Sequence, residues 1–170
     1  METLKIEVGP IAFLDILGYK SFISRNEPED AAKIIKEVIY KTLSTLIQDI
    51  SKALPQNSEN DIGVGYVLAN WEALIVSDSI IAWIPLTEDL SILSKCSAWS
   101  AFIVCINRIQ RDLFMGGLPV RGAISYGKLA ADAENSLIVG KPLIEAYELT
   151  GAKKTCLRSP AGAMENNPPI

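Results

Sequence analysis

The chain has 170 residues, 49% of them hydrophobic, which predicts one globular domain with a sizeable core. Its formal net charge of −4 argues against a nucleic-acid groove held by bulk electrostatics. The chain has no histidine and its three cysteines lack CxxC spacing, which excludes a histidine-based triad and a structural zinc site.

The hydrophobic pattern predicts four strands and two helices in the order βαββαβ. In chain order these are a strand at 8–17, a helix at 29–54, strands at 66–77 and 79–85, a helix at 89–115 and a strand at 118–130. This order is typical of the ferredoxin-like α+β fold, in which strands one and two are parallel and strand three lies antiparallel between them. Both helices are amphipathic, so we expect them to cover one face of the sheet.

Shorter segments complete the predicted organisation. An exposed loop at 55–63 precedes the second strand, and an additional strand at 136–140 and a short amphipathic helix at 141–149 follow the core. The end of the chain contains several prolines and shows no convincing strand. We therefore expect one domain over 1–152 and a disordered tail over 153–170.

Two aspartates stand where apolar runs give out, Asp15 in IAFLDILGY and Asp78 in ALIVSDSIIAWI. In the ferredoxin-like topology the end of strand one lies beside the turn that joins strands two and three, so we expect the two carboxylates to face one another. Like charges that close need a cation, a shared proton or an arginine. A shared metal ion is the favoured interpretation. The alternative is a capping or turn role, which Asp78 within VSDS could fill.

The turn after the first strand is a candidate phosphate site. Gly18 follows Asp15 in DILGYKSF, and a strand-to-helix turn there leaves the backbone N–H groups of Leu17, Gly18 and Tyr19 available to phosphate oxygens. The alternative is a glycine that merely ends a strand.

Three side chains near this turn are further candidates for substrate contacts. Arg121 begins the RGAIS strand and could bind a phosphate through its paired donors or form a salt bridge at a strand edge. Phe13 and Tyr19 are aromatic residues that could stack on a base or ribose, although Phe13 could simply pack on its face of the sheet.

Four segments resemble the class III nucleotidyl cyclases, in matching order over roughly residues 10–150. FLDILGYKSFI resembles the first metal-binding strand and turn of that family, and SDSIIAW its second metal-binding turn. VRGAISYGKL is similar to the strand that follows, and IVGKPLIEAYEL to the active-site helix.

The resemblance implies a fold, a metal site and a reaction. It implies a dimer with the nucleotide between subunits and two divalent ions, Mn²⁺ or Mg²⁺, held by Asp15, Asp78 and the carbonyl group of Ile16. These ions would activate the ribose 3′-hydroxyl for attack on the α-phosphorus. The turn at residues 17–19 would contact the triphosphate.

The chain departs from the purine cyclases at the positions that read the base. The place of their base-reading lysine is Leu74, and the second base-reading position falls on Leu137. Their transition-state asparagine and arginine fall on Ile144 and Glu148. We therefore do not expect an adenine or guanine reader.

Four sequence segments are similar to those of the bacterial pyrimidine cyclases of the Pycsar anti-phage system: FLDILG, SDSI, RGAIS and GKPLIEAYEL. This resemblance implies a homodimer that converts UTP, more than CTP, into the 3′,5′-cyclic monophosphate and diphosphate. The product would signal to a separate effector protein. Two alternatives stay open: a degenerate cyclase fold that binds a nucleotide or a partner without turnover, and a structural dimerisation domain without a ligand.

The expected location is the cytoplasm, with neither nucleic acid nor membrane as a partner. The first residues, METLKIEVGP, lack the pattern of a secretory signal, and the cysteines are expected to be reduced thiols. The apolar stretches are interrupted before the roughly 20 residues that a membrane span needs.

Overall fold

The computed structural model describes residues 5–53, 61–132 and 135–156. Five strands and five helices lie in this part of the chain. In chain order they are β1 (Lys5–Ile16), α1 (Tyr19–Arg25), α2 (Pro28–Ala53), α3 (Asp61–Asn70), β2 (Glu72–Val76), β3 (Ser79–Trp83), α4 (Ile92–Met115), β4 (Val120–Asp132), β5 (Leu137–Gly140) and α5 (Lys141–Cys156).

The five strands form one sheet in the order β2-β3-β1-β4-β5. Every neighbouring pair is antiparallel, so β1 and β2, which both flank β3, are parallel to each other. This is the ferredoxin-like arrangement with one strand added beside β4, and the predicted fold class is confirmed. The end of β1 therefore lies beside the turn between β2 and β3.

Local sequence signals set the ends of the two long helices. Glu29 and Asp30 lie in the first turn of α2, where carboxylates stabilise the positive end of the helix dipole. The side chain of Ser91 caps α4 by accepting a hydrogen bond from the Ser94 backbone N–H at 3.1 Å. Gly117, with a φ of 83°, ends α4 in the left-handed region, as the pair of glycines predicts.

Each face of the sheet has its own core. The first face is covered by α2, α3 and α4, which confirms that both predicted helices cover one face. Its buried side chains include Ala12, Leu14, Ile16, Ile39, Leu46, Val67, Ile80, Ala82, Ile84, Phe102, Ile106 and Ile109. The second face is covered by α5, and its buried side chains are Ile11, Phe13, Leu74, Ile81, Trp83, Leu129, Ala131 and Ala146.

Residues 66–70 form the second half of α3, so the predicted strand over 66–77 is wrong in its first part. Val67 is buried against the first-face core, and the Tyr66 hydroxyl donates a hydrogen bond to the Pro85 carbonyl oxygen at 2.8 Å. Gly63 and Gly65 lower the helix propensity of this segment and its β-branched residues favour a strand, but packing against α4 stabilises the helix. Of the predicted loop at 55–63, residues 61–63 begin α3 and residues 55–60 lie outside the described part.

Two other helices differ from the sequence expectation. The seven-residue helix α1 follows the turn after β1. The hydrophobic periodicity of the sequence did not predict this helix as a separate element. The last helix, α5, has 16 residues and continues to Cys156, four residues past the expected domain boundary. Residues 157–170 of the predicted tail lie outside the described residues, and the division of the chain at 152 stays a prediction.

The helix α4 is long and apolar enough to cross a membrane by length and composition alone, which corrects the expectation that no segment is. Seven of its residues, however, lie in the core, with Phe102, Ile109 and Leu113 fully buried. A helix with one face in the core of a sheet protein satisfies the same test, so this finding is weak evidence for a membrane partner.

Candidate functional site

Asp15 and Asp78 lie next to one another where the central strand β1 ends beside the turn between β2 and β3. This end of the strands is the edge of the sheet that carries the candidate site. Asp15 pairs with Ser79 in the register of β1 and β3, and the Ile16 backbone N–H donates to the Asp78 carbonyl oxygen at 2.8 Å. Asp78 is the second residue of the two-residue turn between β2 and β3, and Ser77 before it has a φ of 56°. A positive φ in such a hairpin turn matches the twist of the strands.

Ser79 lies next to both aspartates, opposite Asp15 in the strand register and after Asp78 in the chain. Residues directly opposite in an antiparallel pair project to the same face, so the Ser79 side chain lies on the face of Asp15. Its hydroxyl group is 3.4 Å from Oδ1 of Asp78. Two acidic side chains that are far apart in sequence thus share one neighbour. Nothing in the sequence pointed to Ser79 itself.

Arg121 supplies a positive charge to this edge. Arg121 pairs with Asp15 in the register of β1 and β4, and its Nε donates to Oδ2 of Asp15 at 2.8 Å. The two side chains are 39% and 20% exposed. Of the three means of balancing adjacent carboxylates, the described structure contains the arginine, and Arg121 takes the salt-bridge role that the sequence left as an alternative.

The donor set at this edge fits a hard divalent cation. Two carboxylates and a backbone carbonyl offer only oxygen atoms, which Mg²⁺ and Mn²⁺ prefer. Within the described ranges, no group of three or more His, Cys, Asp or Glu side chains lies close enough to hold a metal ion. A cation here would therefore complete its coordination with backbone, water and substrate oxygens.

The turn after β1 differs in part from the predicted phosphate cradle. The Leu17 backbone N–H donates to the Pro119 carbonyl oxygen at 2.8 Å, so it is not free for a phosphate, and this expectation is corrected. Gly18 adopts a φ of 75° and its carbonyl accepts from the Phe22 N–H at 2.9 Å. The Tyr19 side chain packs against the first-face core, which takes its ring away from the face of Asp15.

Phe13 lies on the face of Asp15 but is almost fully buried. Its ring contacts Tyr147 of α5 edge to face, with 5.5 Å between ring centroids. Phe13 is only 8% exposed whereas Tyr147 is 62% exposed, so Tyr147 offers the larger aromatic surface. The sequence analysis named Ile144 and Glu148 of this helix but not Tyr147. The signal that could have identified Tyr147 is an aromatic residue between these two positions.

The chain matches no protein-family model, and no curated protein sequence matches it. Among solved structures it is similar to the adenylyl cyclase CyaB from P. aeruginosa, with a TM-score of 0.46 and 15% identity over 88% of this chain and 74% of that chain. The monomeric guanylyl cyclase domain of the RhoGC fusion protein from the aquatic fungus Blastocladiella emersonii gives a TM-score of 0.48 and 15% identity over 87% and 77%. A class III adenylyl cyclase-like ATP-binding protein from Pseudomonas aeruginosa gives 0.43 and 14% over 89% and 32%. With TM-scores below 0.5, these likenesses carry no argument about what the site does.

Proposed function

We propose that this chain is a metal-dependent nucleotidyl cyclase that converts a pyrimidine nucleoside triphosphate, UTP in preference to CTP, into its 3′,5′-cyclic monophosphate and diphosphate. One observation supports the proposal above the others. The backbone of β1 at Asp15 and Ile16 lies directly beside Asp78 and Ser79, which supports the two metal-binding carboxylates that the sequence resemblance to class III cyclases implies.

The reaction forms a bond between the ribose 3′-oxygen and the α-phosphorus and breaks the bond between that phosphorus and the diphosphate oxygen, while the 3′-hydroxyl loses its proton. Two Mn²⁺ or Mg²⁺ ions held by Asp15, Asp78 and the carbonyl of Ile16 would offset the phosphate charge and promote loss of that proton. The chain's own contribution is the fixed placement of these oxygens by the ladders of β1 and β3. The carboxylates of Asp15 and Asp78 are the side-chain bases proposed to take up that proton.

The substrate would lie over the end of β1. The backbone N–H groups of Gly18 and Tyr19 are the proposed triphosphate contacts of the turn. Arg121, which reaches the same edge, is the proposed phosphate-binding side chain. Phe13 would support the base or ribose from the second face of the sheet.

The choice of a pyrimidine is supported by the base-reading positions. Leu74 is buried in the second-face core at 8% exposure, and Leu137 is an exposed apolar residue of β5. Neither side chain offers a hydrogen bond to the polar edge of a purine, so the contacts with which the purine cyclases select their base are missing at these positions. The base is therefore proposed to be the smaller one.

The proposed assembly is a homodimer in the cytoplasm that signals to a separate effector protein during phage infection. Ile144 and Tyr147 of α5 are 58% and 62% exposed, and a second copy of the chain would cover them. The dimer, the location and the anti-phage role are all part of the proposal. No nucleic acid or membrane is proposed as a partner.

A second candidate is a nucleotide-binding module without turnover. Arg121 already balances the charge of Asp15, and Ile144 and Glu148 occupy the helix positions where the purine cyclases carry their transition-state side chains. A site that keeps its ligand contacts and lacks these groups would bind a nucleotide and release it unchanged.

Turnover decides between the two candidates. Purified protein is incubated with each of the four nucleoside triphosphates and Mn²⁺, and the products are separated by chromatography. The cyclase predicts a cyclic pyrimidine product that Asp15→Ala and Asp78→Ala abolish, while Asp89→Ala, an exposed aspartate before α4, leaves it unchanged.

If no product forms, calorimetry measures whether the protein binds the same nucleotides in the presence of Mn²⁺. Metal-dependent binding without product would support the binding module in place of the cyclase. Absence of both product and metal-dependent binding would overturn both candidates and favour a structural dimerisation domain.

A further inference from the structure

The carboxylate of Asp15 has a neighbour on each side along one row of the sheet. Ser79 and the turn with Asp78 lie on the β3 side, and Arg121 lies on the β4 side. The Nε of Arg121 is 2.8 Å from Oδ2 of Asp15, and a metal ion shared with Asp78 would draw on the same carboxylate. The guanidinium and the cation therefore depend on one negative charge.

We propose that Arg121 competes with the divalent cation for Asp15, so that the Arg121–Asp15 ion pair holds the site closed to metal until the pair opens. The inference rests on the proposed metal site and names the residue that regulates its loading. Arg121 would act on the metal site through Asp15, in addition to its proposed contact with a phosphate group.

The exposure of the pair allows such an exchange. With the two side chains 39% and 20% exposed, both charges are partly hydrated, and pairs of this kind are easily broken. A guanidinium and a divalent ion at one carboxylate also repel one another, because neither charge is fully screened at contact distance. Cation binding therefore releases the guanidinium to the same edge of the sheet, where a phosphate group is its natural partner.

The competition also couples the cation to an anion. A ligand that takes the guanidinium away from Asp15 favours cation binding, and by reciprocity the cation favours that ligand by the same factor. In the absence of a cation, Asp15 should hold Arg121 away from an anion. The pair thus resists loading by either ligand alone.

The first test measures cation affinity without nucleotide. Free Mn²⁺ is followed by electron paramagnetic resonance during titration of the wild type, Arg121→Gln and Arg121→Lys. Loss of an ion pair of this exposure predicts Mn²⁺ binding about fivefold tighter in Arg121→Gln, with a smaller gain in Arg121→Lys, which keeps the charge. Arg111→Gln is the matched control. Arg111 forms an ion pair with Asp112 on α4 at 2.8 Å, so this substitution removes the same charge at a site away from Asp15.

The second test measures anion affinity without cation. Inorganic triphosphate is titrated calorimetrically in the presence of a chelator into the wild type, Asp15→Asn and Asp78→Asn. Both substitutions remove one negative charge from the same edge, but only Asp15→Asn frees the guanidinium. The proposal predicts tighter triphosphate binding in Asp15→Asn than in Asp78→Asn.

The outcomes separate this inference from the proposed function. Equal Mn²⁺ affinity in the wild type and Arg121→Gln would overturn the competition and leave the metal site standing. Absence of Mn²⁺ binding in both would overturn the metal site and the competition together. Thermal melts establish that each variant is folded, and if Arg121→Gln is not, equal triphosphate affinity of the two asparagine variants overturns the competition.

Discussion

Replacement of Gly122 by alanine tests how closely β4 must approach β1 beside the candidate site. Gly122 pairs with Leu14, and a Cβ atom added to it would lie 2.6 Å from the Phe13 carbonyl oxygen and overlap a methyl group of Leu14. The carbonyl belongs to the backbone of a central strand, so it can move only if the two strands separate. The neighbouring residue is Arg121, so that separation occurs where Arg121 meets Asp15.

The expected cost follows from the terms involved. Overpacking of a well-packed core costs about 1–3 kcal/mol, and a weakened ladder hydrogen bond adds about 1 kcal/mol. Removal of a glycine from a strand returns about 0.5–1 kcal/mol through the unfolded chain. The free energy of unfolding should fall by about 2–3 kcal/mol, which for a domain of this size lowers the melting temperature by about 5–10 °C.

Urea and thermal denaturation followed by circular dichroism measure this change. Gly65→Ala is the matched control, because Gly65 lies in α3 and an added Cβ would meet no atom within 4 Å. The same chemical change there should raise the free energy of unfolding by about 0.5–1 kcal/mol. An unchanged melting temperature for Gly122→Ala would refute the argument from close strand approach.

Three further predictions concern the core and the thiols. Phe102→Ala should lower the free energy of unfolding by about 3–5 kcal/mol in urea denaturation, because this ring is fully buried and contacts Trp71 and Trp99. Phe114 is 65% exposed, so Phe114→Ala should change the free energy of unfolding little. Equal effects of the two substitutions would contradict the assigned core. Ser91→Ala should lower the free energy of unfolding by about 1 kcal/mol, because the α4 cap is lost. Ser91→Thr keeps a capping hydroxyl and is the comparison. Equal melting temperatures of the wild type and the two variants would contradict the capping role. Burial raises the pKa of the Cys105 thiol to about 11, so at neutral pH iodoacetamide should label the exposed Cys96 before Cys105. Equal labelling rates of these two cysteines by mass spectrometry would contradict this.

The sequence located most of the framework because periodicity and end signals agree there. The stripe of α2, the glycine pair that ends α4 and the apolar run of β1 are local features, and each lies in an element that the pattern predicted. The start of α4 was expected at residue 89, whereas the helix begins at Ile92 after the cap at Ser91. Once the order βαββαβ was read, chain connectivity restricted the topology and brought Asp15 beside the turn that contains Asp78.

Elsewhere tertiary packing overrode the local signal. The segment around Tyr66 and Val67 has strand-like composition, yet it is helical because α3 packs on α4 and the first-face core. The turn at residues 17–19 was expected to offer three free N–H groups, but β4 approaches it and the Pro119 carbonyl accepts from Leu17. Such partners come from distant segments, which local propensity does not encode.

The sequence by itself determined the βαββαβ order of the core, the fold class and the adjacency of two acidic residues at one edge of the sheet. Only the tertiary structure decided how their charge is balanced, by setting β4 in the register that places Arg121 opposite Asp15. The reason is that periodicity records which face a side chain takes, while the partner it meets depends on the alignment of strands more than a hundred residues apart in the chain.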